Sequence, residues 1–286
     1  MGHGYSETIL RVDLTSGSTS VETFDEPFYR QYPGGKALAT YHLLRELAPG
    51  CDPLGPENIL VLAVGLLTGA PISTATRFNA IARSPLTGAF GESEAGGYWG
   101  PELKMAGLEA IIVTGRSPDP VYLWVKDGAA EIRDARHLWG QDPPTVQAAI
   151  RAELGDRLVR VLQIGRAGEN QVRYAMLMNE LRHYNGRTGM GAVMGSKNLR
   201  AVAIRGSRHY ADLASDPGTL AELGRRLAKR VPEHPQSWDL RRNGTPVLTD
   251  ALNAGGILPT RNFRQGSFER VDEINMAAYL ALRSGT

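Results

Sequence analysis

Three stretches of this chain offer groups that suit anions: an arginine in the first, paired glycines in the second, and glycines with cationic side chains in the third. In the first, Thr76-Arg77-Phe78-Asn79, the guanidinium offers a planar fork of donors that fits a phosphate or the polar edge of a pterin. From the pattern alone, the same arginine reads more readily as a surface partner for a carboxylate. In the second, Ser84-Pro85-Leu86-Thr87-Gly88 leads on to Glu94-Ala95-Gly96-Gly97-Tyr98-Trp99-Gly100. Gly96 and Gly97 have no side chain to keep an anion from backbone N–H groups. Pro101 and Glu102 suit the first turn of a helix over Leu103 to Ala106, which sets a helix N-terminus beside the loop. A tight structural turn with a packed Tyr98-Trp99 corner accounts for the same residues. The third stretch, Asn185 to Asn198, is punctuated by glycines and carries Arg187 and Lys197, so it reads as a further anion cradle. Two nucleotide motifs fail there on spacing. A P-loop needs four residues between its first glycine and a Gly-Lys pair, and Gly189-x-Gly191-x-x-x-Gly195 is not G-x-G-x-x-G. His183 sits at the edge of this stretch and has a better claim to function than His137, which reads as structural or as a cap. No Ser/His/Asp or Cys/His set can be assigned, and no metal-ligand spacing occurs.

The elements that must carry these stretches are mostly strands. Thr8 to Leu14 alternates apolar and polar residues, and Val21 to Phe24 returns as the second strand of a hairpin. Ala37 to Leu47 has helical spacing and ends at Pro49-Gly50. Strands are expected at Ile59 to Val64, Ile72 to Arg83, Ala110 to Val113, Val121 to Val125, Ala130 to Arg133, Val159 to Ile164 and Ala201 to Ile204, with a helix over Pro144 to Leu154. After Gly206 strand signals stop. Asp216 to Val231, Pro246 to Asn253 and Ile274 to Leu282 read as helices. The expected organisation is therefore α+β over residues 1–208, followed over 209–286 by helices with too few apolar positions for a good core of their own.

Bulk properties exclude several classes. The 32 basic and 30 acidic residues are interspersed, giving a net charge of +2 and no concentrated basic face for nucleic acid. The longest apolar run is too short to span a bilayer, and the N-terminus lacks the pattern of a secretory signal. One cysteine, Cys51, can form neither an intrachain disulfide nor a metal cluster site, so a reducing, cytoplasmic setting is expected. The 33 glycines exceed the usual ~7% and gather at a few places, as backbone devices do.

Long, ordered segments also resemble a known family. SPLTG, GGYWGPELKMAGLEAIIVTGRSPDPVYLWVKDGAAEIRDARHLWG, IGRAGEN, GRTGMGAVMGSKNLRAVAIRG and NGTPVLTDALNAGGILPTRNF are similar to the aldehyde:ferredoxin oxidoreductase family over essentially the whole chain. The resemblance implies an N-terminal domain of two β-sheets with flanking helices, forming the base for a tungsten bis-pterin cofactor (molybdenum in some members), then the start of a helical domain. It implies a magnesium ion bridging the two pterin phosphates, and a 4Fe-4S cluster in the complete enzyme. The reaction implied is oxidation of an aldehyde to a carboxylic acid with ferredoxin as electron acceptor.

Carried onto this chain, the resemblance makes Arg77, Glu94, Ala95, Gly96, Gly97, His183, Tyr184, Gly186 and Arg187 the cofactor-binding residues. The backbone carbonyls of Glu94 and Tyr184 would hold the magnesium. Glu94 stands where members often have asparagine, His183-Tyr184 where many have Arg-Ala, and Lys36-Ala37 where Arg-Gly is usual. The family's cluster cysteines follow a segment like Arg261 to Leu282, so the chain is expected to lack them and to be inactive alone. The alternative is a non-catalytic pterin-binding or scaffold module that pairs with a separate C-terminal chain. Association as a homodimer is a further expectation; nucleic acid and membrane are not.

Overall fold

The structure, a computed structural model, describes residues 3–284. Runs rich in β-branched and aliphatic residues make two six-stranded sheets, one from each half of the strand-bearing region. The first comprises β1 (Thr8–Asp13), β2 (Ser18–Thr23), β3 (Leu60–Val64), β4 (Phe78–Arg83), β5 (Phe90–Ala95) and β6 (Ala110–Thr114). Their spatial order is β2-β1-β6-β3-β4-β5. The second comprises β7 (Val121–Lys126), β8 (Ala129–Asp134), β9 (Arg160–Gln163), β10 (Leu177–Asn179), β11 (His183–Asn185) and β12 (Leu199–Arg205), ordered β11-β10-β9-β12-β7-β8. Read from the other edge, and counted from its own first strand, the second order is the same as the first. Directions repeat as well. The pairs β1–β6 and β7–β12 are parallel, and the other neighbours are antiparallel. The two halves are thus one motif used twice. Leu108 to Gly115 (LEAIIVTG) and Leu199 to Gly206 (LRAVAIRG) align across it without a gap.

Helices fill the layers between and outside the sheets. α1 (Glu26–Gln31) and α2 (Gly35–Glu46) precede β3, and α3 (Trp99–Met105) joins β5 to β6. α4 (Pro143–Glu153) and α5 (Arg166–Glu169) flank β9, and α6 (Met190–Ser196) joins β11 to β12. α3 packs on β9 and β12 of the opposite sheet, where Trp99 Nε1 donates to the Val202 carbonyl at 3.0 Å. α6 reaches the other way, onto β3, β4 and β5. These exchanged helices and the inner sheet faces form one core that includes Leu62, Phe78, Trp99, Leu103, Val193, Met194 and Val202. Outside it, α2 covers Ile9, Val61 and Ile112, and α4 covers Tyr122, Val161 and Ala203. β3 is buried on both faces, which explains its unbroken apolar sequence.

Three expectations are corrected. Strand structure begins at Phe78, not Ile72; the residues before it form turns, so Arg77 precedes the strand. The helix expected over Leu103 to Ala106 already begins at Trp99. The glycine-rich run from Gly189 is no anion cradle but the buried helix α6. Its glycines permit close packing: a Cβ on Gly195 would lie 1.9 Å from the Gly168 carbonyl oxygen. Lys197 is fully buried, donating to the carbonyls of Pro56 at 3.3 Å, Gly115 at 3.0 Å and Asn58. It ties segments of the fold together.

The chain divides into two compact units between Ala221 and Glu222, within α7 (Pro217–Arg230). β12 ends at Arg205, and compact packing continues from there to Ala221. The second unit contains α8 (Pro235–Asn243), α9 (Thr249–Ala254) and α10 (Met276–Ser284). Among the described residues no helix is long and apolar enough to cross a membrane.

Candidate functional site

The duplicated hairpins β4–β5 and β10–β11 meet at the sheet edges, and a cavity of about 680 Å³ lies where they meet. It is lined by Lys36, Arg77, Glu92, Ser93, Glu94, Tyr184, Gly186 and Arg187. Its size falls within the usual range for small-molecule sites, and its polar, charged lining suits a charged ligand.

Side chains from each half hold the backbone of the other. Asn179 Nδ2 donates to the Gly96 carbonyl at 3.1 Å, and Asn185 Nδ2 to the Ser93 carbonyl at 2.8 Å. The Arg187 N–H donates to Ser93 Oγ at 2.9 Å, and Thr188 Oγ1 to the Glu92 carbonyl at 3.0 Å. Ser84, the first residue of SPLTG, donates to the Thr188 carbonyl at 2.8 Å and accepts from the N–H groups of Leu86 and Thr87. Gly97 has φ +99°, and a Cβ there would lie 2.3 Å from Asn179 Oδ1 and 2.8 Å from His183 Cδ2. Only glycine satisfies both the left-handed backbone and the close approach of the second half.

The charges are arranged in pairs. Alternation along β5 brings Glu92 and Glu94 onto one face. Glu92 forms an ion pair with Lys36 and accepts from Asn79 Nδ2 at 2.9 Å. Glu94 Oε1 lies 3.5 Å from Arg77 Nε. Arg187 has no side-chain partner among the described residues. The second half therefore presents an open cation, whereas the first presents cations already engaged.

Of the nine residues expected to hold a cofactor, Arg77, Glu94, Tyr184, Gly186 and Arg187 line the cavity. Gly96 and Gly97 adjoin it through the Asn179 contacts, and His183 lies against Gly97. Ala95 points its side chain into the inter-sheet core, leaving only its backbone for a ligand. Lys36, Glu92 and Ser93 also line the cavity. The available signal for Glu92 was the Glu-x-Glu alternation leading into Gly-Gly, which identifies a strand with one polar face; Ser93, the intervening residue, had no such signal.

Phosphate esters fit this donor set, because three cationic side chains and glycine-flanked backbone converge on one cavity. Asn179 Oδ1 and Asn185 Oδ1, buried behind it, accept no hydrogen bond from the protein. A four-iron cluster does not fit, since Cys51 is the single thiol. Among the described residues no three His, Cys, Asp or Glu side chains gather to hold a metal ion.

The fold and the site define a duplicated two-sheet domain with a charged cavity across its pseudo-symmetric seam. Comparison with known proteins gives its lineage. Residues 9–206 match the model of the aldehyde ferredoxin oxidoreductase N-terminal domain, and residues 222–284 match that for domains 2 and 3 of the same enzymes. The chain belongs to the aldehyde ferredoxin oxidoreductase family. A tungsten-containing aldehyde ferredoxin oxidoreductase of Pyrococcus abyssi is 42% identical over 98% of this chain and 47% of its own length. Its counterpart in Thermococcus kodakarensis is 42% identical over 92% of this chain and 44% of its own. The chain thus spans about half the length of the curated relatives it matches. Among solved structures, the active site complex BamBC of benzoyl coenzyme A reductase superposes with a TM-score of 0.71 at 39% identity, over 73% of this chain and 32% of that one.

Proposed function

We propose that the first unit is the base of a tungsten bis-pterin site in an enzyme that oxidises aldehydes to carboxylic acids and passes the electrons to ferredoxin. The observation that supports it is the single cavity joining the two equivalent hairpins, with one arginine from each half in its wall. Arg77 and Arg187 would each take one pterin phosphate, using guanidinium geometry that matches phosphate oxygens. Backbone N–H groups around Gly96, Gly97 and Gly186 would approach the same anions. The backbone carbonyls of Glu94 and Tyr184, at matching positions of the two hairpins, would hold the magnesium ion, whose charge would offset that of the phosphates. When bound, the metallopterin supplies the two-electron oxidation chemistry.

The residues of this chain bind and orient. Asn179 and Asn185 fix the loop backbones from behind, and the packed sheets close the floor against water. Cys51 alone cannot ligate the iron–sulfur cluster, so in this proposal that cluster and the ferredoxin contact come from the part of the relatives' length that this chain does not span.

The test is cofactor occupancy. In enzyme carrying the full relatives' length, Arg77→Ala and Arg187→Ala should each lower tungsten and pterin content at least several-fold, with the circular dichroism unchanged. Wild-type occupancy in both variants would remove the arginines from the site and the proposal with them.

A further inference from the structure

The internal duplication supplies its own control for charge. Ala95 pairs with Phe78, and Asn185 with Leu177, so Glu94 and Tyr184 are equivalent positions of the two copies. One copy carries a carboxylate where the other carries a phenol. The carboxylate engages Arg77 at 3.5 Å, while the Arg187 guanidinium has no partner among the described residues. Both arginines line one cavity. An anion arriving at Arg187 displaces nothing. An anion arriving at Arg77 must displace Glu94 and then tolerate its charge nearby.

We propose that the two anion positions of the cavity are unequal: the Arg187 side binds first and more tightly, and Glu94 acts as an internal counter-anion that holds down the affinity of the Arg77 side. The inference rests on the anion-cradle reading above and deepens it. Glu94 is half-exposed and lies 3.5 Å from Arg77 Nε, so its hold is loose enough to yield to a doubly charged phosphate. Glu92 differs, being more buried and fixed by both Lys36 and Asn79, and it stays in place. Order of loading is thereby written into the sequence at one of two equivalent positions.

Calorimetric titration of the chain with inorganic phosphate tests this, at low and at moderate ionic strength. Wild type should bind in two steps, both weaker in salt. Glu94→Gln, which keeps the shape and removes the charge, should tighten the weaker step roughly three- to tenfold, the scale of one half-exposed ion pair released and one repulsive charge removed. Arg187→Ala should abolish the tighter step, and the double variant should retain the Arg77 step at its tightened value. Phosphate binding by wild type that is unchanged in Glu94→Gln overturns the inference and leaves the cradle standing. Absence of phosphate binding in wild type and Glu94→Gln alike overturns the cradle as well.

Discussion

Lys36 reaches the cavity from the first turn of α2, and that helix is anchored at its far end by a charge network. Glu46 accepts from Arg11 at 2.6 and 2.8 Å and lies 2.8 Å from His42 Nδ1, tying α2 to β1. Burial works against this carboxylate's charge, but the bonds from Arg11 and His42 outweigh it and hold its pKa down at about 2, against an ordinary 4.5. The sign follows. Between pH 4.5 and 2 the unfolded chain takes up a proton that the folded chain refuses, so stability is present above pH 4.5 and lost as pH falls through this window. Glu46→Gln should cost about 1 kcal/mol at neutral pH, allowing for partial exposure, and should flatten the acid limb of a urea-denaturation series. An acid limb identical to wild type would show that Glu46 contributes nothing. At this scale the sequence revealed Arg77 through its guanidinium and Gly186 with Arg187 through a cation beside glycine, chemistry that needs no fold. Glu92 carried the weaker signal of Glu-x-Glu alternation, and Ser93 was illegible, since its place in the cavity depends on strand register.

Elements were legible where burial imposes a pattern. β3, β6, β7 and β12 stand in or beside the cores and read as apolar runs. The short strands β10 and β11 and the polar β5 did not, because part of their order comes from Asn179, Asn185, Arg187 and Thr188 bonding across the two halves. α6 was hidden for a different reason. Its glycines lower helix propensity, yet contact with the Gly168 and Met176 carbonyls requires them, so tertiary packing overrides the local preference. The seam between hairpins depends on Gly97 in the same way. Gly97→Ala would place a methyl group against Asn179 in an unfavourable backbone region. It should destabilise the protein by about 1–3 kcal/mol in urea unfolding and weaken phosphate binding in parallel. A variant with unchanged stability would mean the halves can part without loss.

At the scale of the whole molecule, duplication explains why a charged site can sit on a rigid base. Two copies of one motif exchange helices α3 and α6, so each sheet packs against a helix of the other half. The second unit is built differently. Trp238, Ile257, Phe263, Ile274 and Leu282 are all exposed, and Phe263 is 81% exposed. Local opening costs little where few apolar groups leave a core, and much where many do. Amide hydrogen exchange should therefore be slowest in β3, β6 and β12, approaching the rate set by global unfolding, and faster by orders of magnitude across α8, α9 and α10. Addition of phosphate should slow exchange further at the β4–β5 and β10–β11 hairpins, because a ligand bound only to the native state raises the cost of opening its site. It should leave α8 to α10 unaffected. Equal protection of both units would mean that the second has a core of its own. Phosphate-dependent protection confined to α8–α10 would place the anion site on the wrong unit.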